Sequence, residues 1–129
     1  MSNGEYNTHG MDDRLQEMLQ VFRKMKRHEL QRLGYKYLRE VIKLTPVDTA
    51  NLKRRISVNP VSDEEVQVGT NVHYAPHVEY GHRIVDRNGK VHGYKKGAFM
   101  FKKGWVNAKP KLDREIKSFY DMLDDILEG

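Results

Sequence analysis

Apolar side chains recur every three or four positions over the first third of the chain. The positions are Leu15, Met18, Leu19, Phe22, Met25, Leu30, Leu33, Tyr37, Val41 and Leu44. This spacing predicts one long amphipathic helix from Asp12 to about Leu44, because side chains three and four apart share one face of a helix. Pro46 disfavours helical geometry in the residue before it, so the helix is expected to stop there. Residues 1–11, which include two Gly and two Asn, are predicted to form a flexible arm.

After Pro46 the apolar pattern breaks into short segments. In TPVDTANLKRRI, Asp48 is a suitable N-cap for a short helix from Thr49 to about Arg54. The segments ISVNPV and EVQVGT that follow have the composition of two strands separated by a polar turn. Pro60 fits an edge or a bulge better than a central strand, so a small antiparallel sheet is predicted here.

The stretch VHYAPHVEYGH, residues 72–82, alternates with a period of two. One face would carry Val72, Tyr74, Pro76, Val78 and Tyr80, and the other His73, Ala75, His77, Glu79 and Gly81. This alternation predicts a strand with a buried aromatic face. Gly69 and Gly81 are expected to permit tight turns, and Tyr74 and Tyr80 to fill the core.

A basic hairpin loop is predicted over residues 82–97, because Asn88-Gly89 lies between two short runs that contain apolar residues. A lone two-stranded hairpin with few aliphatic side chains is marginal in water, so the loop is expected to be mobile in the free protein. Its cations outnumber its single carboxylate, Asp86, and favour an acidic protein surface or DNA as partner. They are Arg83, Arg87, Lys90, Lys95 and Lys96.

The last part of the chain predicts a second long helix. The apolar run 99–101 is expected to return the chain to the sheet, and helical spacing begins at Trp105. Pro110 is tolerable there only in a first turn or at a kink. The whole pattern predicts one α+β domain, residues 1–129, in which a long N-terminal helix and a C-terminal helix pack on a small antiparallel β-sheet with a protruding hairpin loop.

Composition narrows the function further. The chain of 129 residues has no cysteine, which removes disulfides, thiolate metal sites and thiol nucleophiles. None of its four serines lies in a strand-to-helix elbow, and no glycine loop could cradle a phosphate, so no catalytic residue and no cofactor is predicted. No run approaches the roughly 20 apolar residues of a membrane helix, and a protein made in the cytoplasm is expected.

The net charge of +5 raises the question of anionic partners. On the first helix, basic side chains at spacings of four, three and four form one flank, which could hold phosphates or simply be solvated. They are Arg32, Lys36, Arg39 and Lys43. Charge alone does not decide between phosphate binding and a solvated flank.

Three histidines and a glutamate within residues 72–82 also raise the question of a metal site. On a strand rising about 3.3 Å per residue, His73 and His77 would lie roughly 13 Å apart, too far to share one zinc ion with ligands at about 2.1 Å. His77 and Glu79 could supply two ligands, but a third is not identified. The sequence therefore predicts no metal.

Two stretches together resemble a family. TPVDTANLKRRI is similar to T-P-V-D-T-G-x-L-R-x-S-I, and VGTNVHYAPHVEYGH to V-G-T-N-x-x-Y-A-x-x-V-E-Y-G-T, of the head–tail joining or tail-completion proteins of long-tailed bacteriophages. The resemblance covers about residues 40–127. Ala50, Lys53 and Arg55 depart from the first motif, and AFMFKKG replaces the usual P-F-L-x-P-A before the last helix.

The resemblance implies a non-enzymatic virion protein that assembles as a ring, most often six-fold, at the neck between head connector and tail, with DNA passing through. Other copies of the chain, connector and tail proteins would be its partners, and the host cytoplasm its location during assembly. The motif residues Asp48, Gly69, Tyr74, Glu79, Tyr80 and Gly81 would have structural roles. The alternative is a free-standing basic nucleic-acid-binding protein, whose binding to duplex DNA would depend on salt.

Overall fold

The computed structural model of the protein describes residues 9–128, with side chains from Asp13 onward. In chain order the elements are α1 (His9–Leu44), a 3-10 turn (Val47–Thr49), α2 (Ala50–Arg55), β1 (Ser57–Pro60), β2 (Val66–Gly69), α3 (Ala75–Tyr80), β3 (Gly81–Val85), β4 (Val91–Lys96) and α4 (Met100–Glu128). The predicted α+β class is confirmed. Residues 1–8 of the predicted flexible arm lie outside the described residues, whereas 9–11 already belong to α1.

The two long helices pack against each other in antiparallel directions. The ring of Tyr37 on α1 meets that of Trp105 on α4 edge to face, with centroids 5.4 Å apart. Further from this contact, Leu33 packs with Ala108 and Leu112 in a small buried cluster. The chain thus brings the start of α1 beside the end of α4.

The main core lies where the middle of the chain packs under the two helices. Its buried side chains are Val41, Leu52, Ile56, Val72, Ala75 and Met100. Towards the other end of the helix pair, in residues 13–32 of α1 and 113–128 of α4, no side chain is buried. We call this part, residues 13–32 of α1 with 113–128 of α4, the helical arm.

The strands form two separate two-stranded sheets rather than one. β1 pairs with β2 in antiparallel register, as predicted, and packs on α1. There a Cβ on Gly34 would lie 2.8 Å from Val58, so this glycine allows close packing between helix and sheet. β3 pairs with β4, and Asp86 and Lys90 close the predicted Asn88-Gly89 turn by a backbone hydrogen bond.

The strand predicted over VHYAPHVEYGH is wrong. Residues 75–80 form helix α3, and only Gly81 and His82 enter strand β3. Pro76 lies in the first turn of α3, where its missing N–H costs nothing, and Gly81 ends the helix with φ of 88°. Pro76 and Gly81 therefore mark the two ends of this helix, and a helix of six residues is too short for periodicity to reveal.

Two local predictions also fail. Phe99 to Phe101 do not return to the sheet, because α4 begins at Met100, which is fully buried. Asp48 lies in the 3-10 turn and does not cap α2, whose N-cap position is taken by Thr49. Of the two positions predicted for Pro110, a first turn or a kink, the first turn is excluded, because the residue lies inside α4. Both Pro110 and Val106 are exposed, so that water can bond the carbonyl that the proline leaves unpaired.

Candidate functional site

The root of the β3–β4 hairpin is a crossing of two backbone segments. A Cβ on Gly97 would collide with the carbonyl oxygen of Glu79, and one on Gly81 with that of Lys95. The amide N–H of Ala98 donates to the carbonyl of Val78 at 2.8 Å. The hairpin therefore leaves the body through a junction where two backbone segments are in direct contact.

Glu79 joins this junction to the last helix. Its side chain is 6% exposed, and its carboxylate accepts hydrogen bonds from the backbone N–H groups of Phe101 (2.9 Å) and Lys102 (3.2 Å). These are among the first N–H groups of α4, which have no partner within the helix, and the helix dipole favours a negative charge there. Glu79, predicted to lie on a polar strand face, is instead the buried cap of α4.

The phenol of Tyr37 lies close to the same helix start. Its hydroxyl donates to the carbonyl of Phe101 at 2.8 Å, and burial together with the charge of Glu79 raises the pKa of Tyr37. Three chain segments distant in sequence thus meet where α4 begins.

Tyr80, unlike the neighbouring Glu79, is 64% exposed, so the prediction that it fills the core is wrong. Its ring lies edge to face with that of Phe99, whose positive φ of 50° ends the connection into α4. Tyr74, in contrast, packs partly buried against the core, and Gly69 ends β2 with open space around it.

The residues of the second motif line a surface groove of about 460 Å³. It is bounded by the end of β2, residues 70–73, residues 75–76, Glu79, Tyr80 and Phe101. Glu79 is already engaged by α4, and the other polar side chains in the lining are those of Thr70, Asn71 and His73, so the groove offers mainly apolar surface. Such a surface fits contact with another protein better than acid–base chemistry.

The hairpin presents its charge to solvent. Arg83, Arg87, Lys90, Lys95 and Lys96 are all exposed. Of these five cations, only Lys95 has a carboxylate within 4 Å among the described residues, that of Asp48 at 3.8 Å. Asp86 is occupied within the turn by His92 and two backbone N–H groups, which lower its pKa. The structure thus leaves the predicted cations of the hairpin available.

The basic flank of α1 is different. Arg32 and Lys36 both bind Glu115 on α4, at 3.2 and 2.8 Å, and Lys43 binds Glu40 at 3.1 Å. Lys36 and then Arg32 lower the pKa of Glu115 through these bonds. Of the four predicted cations, only Arg39 has no ion pair among the described residues. The flank mainly holds the two helices together, which favours a flank that binds no phosphate.

The histidines do not lie on one strand, which was the basis of the predicted distance between His73 and His77. His73 occupies a turn, and His77 lies on α3 with its ring stacked on that of His82, with centroids 5.2 Å apart. The separation derived from a strand therefore does not apply. Within residues 9–128 no group of three or more His, Cys, Asp or Glu side chains is placed to hold a metal ion.

Sequence reasoning missed not only the capping role of Glu79 but also the amount of apolar surface on the helical arm. Its exposed large side chains are Leu15, Met18, Leu19, Val21, Ile116, Tyr120, Met122, Ile126 and Leu127. The apolar spacing of the two helices was visible in the sequence. That the helices extend beyond the buried core was not. The signal that could have shown this is length: α1 runs for 36 residues in a chain of 129.

Together these features leave an exposed apolar surface on the helical arm and an exposed basic hairpin. A family model described as "Bacteriophage HK97-gp10, putative tail-component" matches residues 10–81, more than half of the chain. The chain belongs to this family of bacteriophage tail components, and the predicted family resemblance is confirmed. The match covers α1 to α3, whereas the hairpin and α4 lie beyond it.

The family places the protein in the virion as a structural component that contacts other phage proteins. Comparisons with curated proteins and with solved structures found no match. In the part of the chain that the structure describes, no helix is both long and apolar enough to cross a membrane.

Proposed function

We propose that this tail component forms a non-enzymatic ring, most simply of six copies, at the neck, where it completes the tail or joins it to the head and lets DNA pass through its centre. The observation that carries the proposal is the unburied apolar surface of the helical arm, in a chain that belongs to a phage tail family. A soluble monomer rarely leaves so much apolar surface unpaired. Contact between copies would cover it, and a head-to-tail contact that closes makes a ring.

The exposed hairpin is the element we propose for contact with partners. Its cations would meet an acidic surface of a neighbouring protein or the DNA in the channel, and rim charges of this kind mainly set association rate and salt sensitivity. It contacts the body near its root, through the hydrogen bond from Tyr94 to the carbonyl of Tyr80, and at Asp48, which is compatible with ordering on a partner. The protein would fold in the host cytoplasm and close its ring during assembly.

Light scattering with negative-stain imaging tests the proposal. We expect rings either at high protein concentration or on purified tails, because closure of such a ring can need a template. A monomer at every concentration that is also absent from purified virions would contradict it. Salt-dependent binding of the isolated monomer to short duplex DNA, without rings, would instead support the nucleic-acid-binding alternative.

A further inference from the structure

The tip of the helical arm combines apolar surface with negative charge. We define the arm tip as residues 13–20 of α1 and 117–128 of α4. Next to the tip, Leu19 and Phe22 of α1 form a groove of about 320 Å³ with Tyr120, Leu123 and Leu127 of α4. Arg23, Lys26 and Glu64 also line this groove, and Lys26 is paired with Glu64 at 2.6 Å. Around it the arm tip carries six carboxylates against two cations. The carboxylates are Asp13, Glu17, Asp121, Asp124, Asp125 and Glu128, and the cations are Arg14 and Lys117.

The charge of the arm tip is poorly compensated within the protomer. Among the described residues, Lys117 binds Asp121 at 3.1 Å, and no ion pair joins Asp124, Asp125 or Glu128. The last turn of α4 contains no basic residue. Carboxylates at a helix C-terminus are unfavourable because the dipole is negative there. A cationic partner would relieve this repulsion.

The hairpin has the complementary chemistry. All six residues of β4 are exposed, and the hairpin adds the exposed apolar side chains of Ile84, Val85, Val91 and Tyr94 to its cations. An apolar surface with surplus positive charge would therefore meet an apolar surface with surplus negative charge. Both surfaces come from the same chain.

The two surfaces cannot meet within one protomer. The hairpin root lies beside the first turn of α4, and the arm tip begins at residue 117 of the same helix. At 1.5 Å per residue, roughly 25–40 Å of helix separates them. A contact between them must join two copies, and because it pairs two different surfaces it is head to tail.

We infer that the basic hairpin of one copy docks on the acidic, apolar arm tip of the next copy. The inference rests on the proposed ring and names the contact that would close it. Each copy would offer one hairpin and one arm tip, so every surface is used once around the ring. DNA as the occupant of the hairpin is the competing outcome.

Cross-linking tests the inference, because a chain without cysteine lets each introduced thiol report a single position. Asn88→Cys marks the hairpin turn and Glu128→Cys marks the arm tip. In ring preparations or assembled tails, a short bis-maleimide should link the double variant into a ladder of covalent oligomers, whereas each single variant should give none. Linking of Asn88→Cys to itself would mean a symmetric contact and would overturn the inference.

Charge reversal supplies the second arm. Arg87→Glu with Lys90→Glu, introduced into the double-cysteine chain, should lower the yield of the ladder at least about tenfold. Adding Asp124→Lys with Asp125→Lys should restore it. All four positions are exposed, and the restoration separates a lost contact from a misfolded chain. An unchanged ladder together with lost DNA binding would overturn the inference in favour of DNA.

The outcomes distinguish this inference from the proposed function. Rings seen by imaging without the 88-to-128 ladder would refute the contact while leaving the ring intact. Absence of rings and of the ladder, in solution and in purified tails, would refute both.

Discussion

Replacement of Glu79 tests the most specific structural claim, that a buried carboxylate caps α4. Glu79→Ala removes two hydrogen bonds from the N–H groups of Phe101 and Lys102 and leaves both donors without their partner. Hydrogen bonds to charged groups contribute about 1.5–3 kcal/mol each, and loss of a helix cap costs about 0.5–2 kcal/mol. We therefore expect the free energy of unfolding to fall by about 2–4 kcal/mol. Glu79→Gln keeps one acceptor oxygen and should lose about half as much.

Urea denaturation followed by circular dichroism measures this loss. With a slope of about 2 kcal/mol/M, the midpoint should fall by about 1–2 M for Glu79→Ala. Tyr80→Ala is the neighbouring control, since its side chain is 64% exposed and its loss should cost about 1 kcal/mol or less. Glu64→Ala removes a carboxylate that is 72% exposed and should cost even less. If Tyr80→Ala destabilises as much as Glu79→Ala, the capping role is refuted.

Four further predictions concern the ion pairs, the glycines, the hairpin and the absence of a bound metal. Ion pairs lower the pKa of Glu115 and of Glu40, so these pairs stabilise the fold above the ordinary pKa near 4.5, and the stabilisation is lost as pH falls through the lowered pKa values. The urea midpoint should therefore fall less on acidification in Glu115→Gln than in the unmodified protein. Gly97→Ala should cost about 3 kcal/mol because its Cβ meets backbone, and Gly89→Ala, with open space around it, only about 1 kcal/mol, measured in the same way. A Gly/Ser linker in place of residues 84–95 should leave the melting temperature nearly unchanged and abolish head–tail joining in a complementation assay; unfolding would show that the hairpin supports the core. Chelator should leave the melting temperature unchanged, and stoichiometric zinc in chelator-free protein would contradict this.

The long-range architecture could be predicted because it depends on long, regular patterns. The apolar spacing of α1 identified the helix to within a few residues, and Asn88-Gly89 located the turn of the hairpin. Both signals are local. The apolar spacing is repeated many times along α1, and the Asn-Gly pair is chemically specific for a tight turn. The α+β class follows from them without knowledge of any distant contact.

The candidate site could not be predicted in the same way. Helix α3 has only six residues, so alternation in VHYAPHVEYGH outweighed the boundary signals of Pro76 and Gly81. The burial of Glu79 depends on α4 starting 21 residues later in the chain, a tertiary contact that no periodicity records. The neutralised flank of α1 depends likewise on Glu115, which is distant in sequence.

Cryo-electron microscopy of intact virions would show directly whether the ring exists. We expect a closed ring at the neck, with DNA in its channel, into which copies of this fold fit so that each hairpin meets the arm tip of its neighbour. Finding the protein only at another place in the virion, or not in the virion at all, would contradict it.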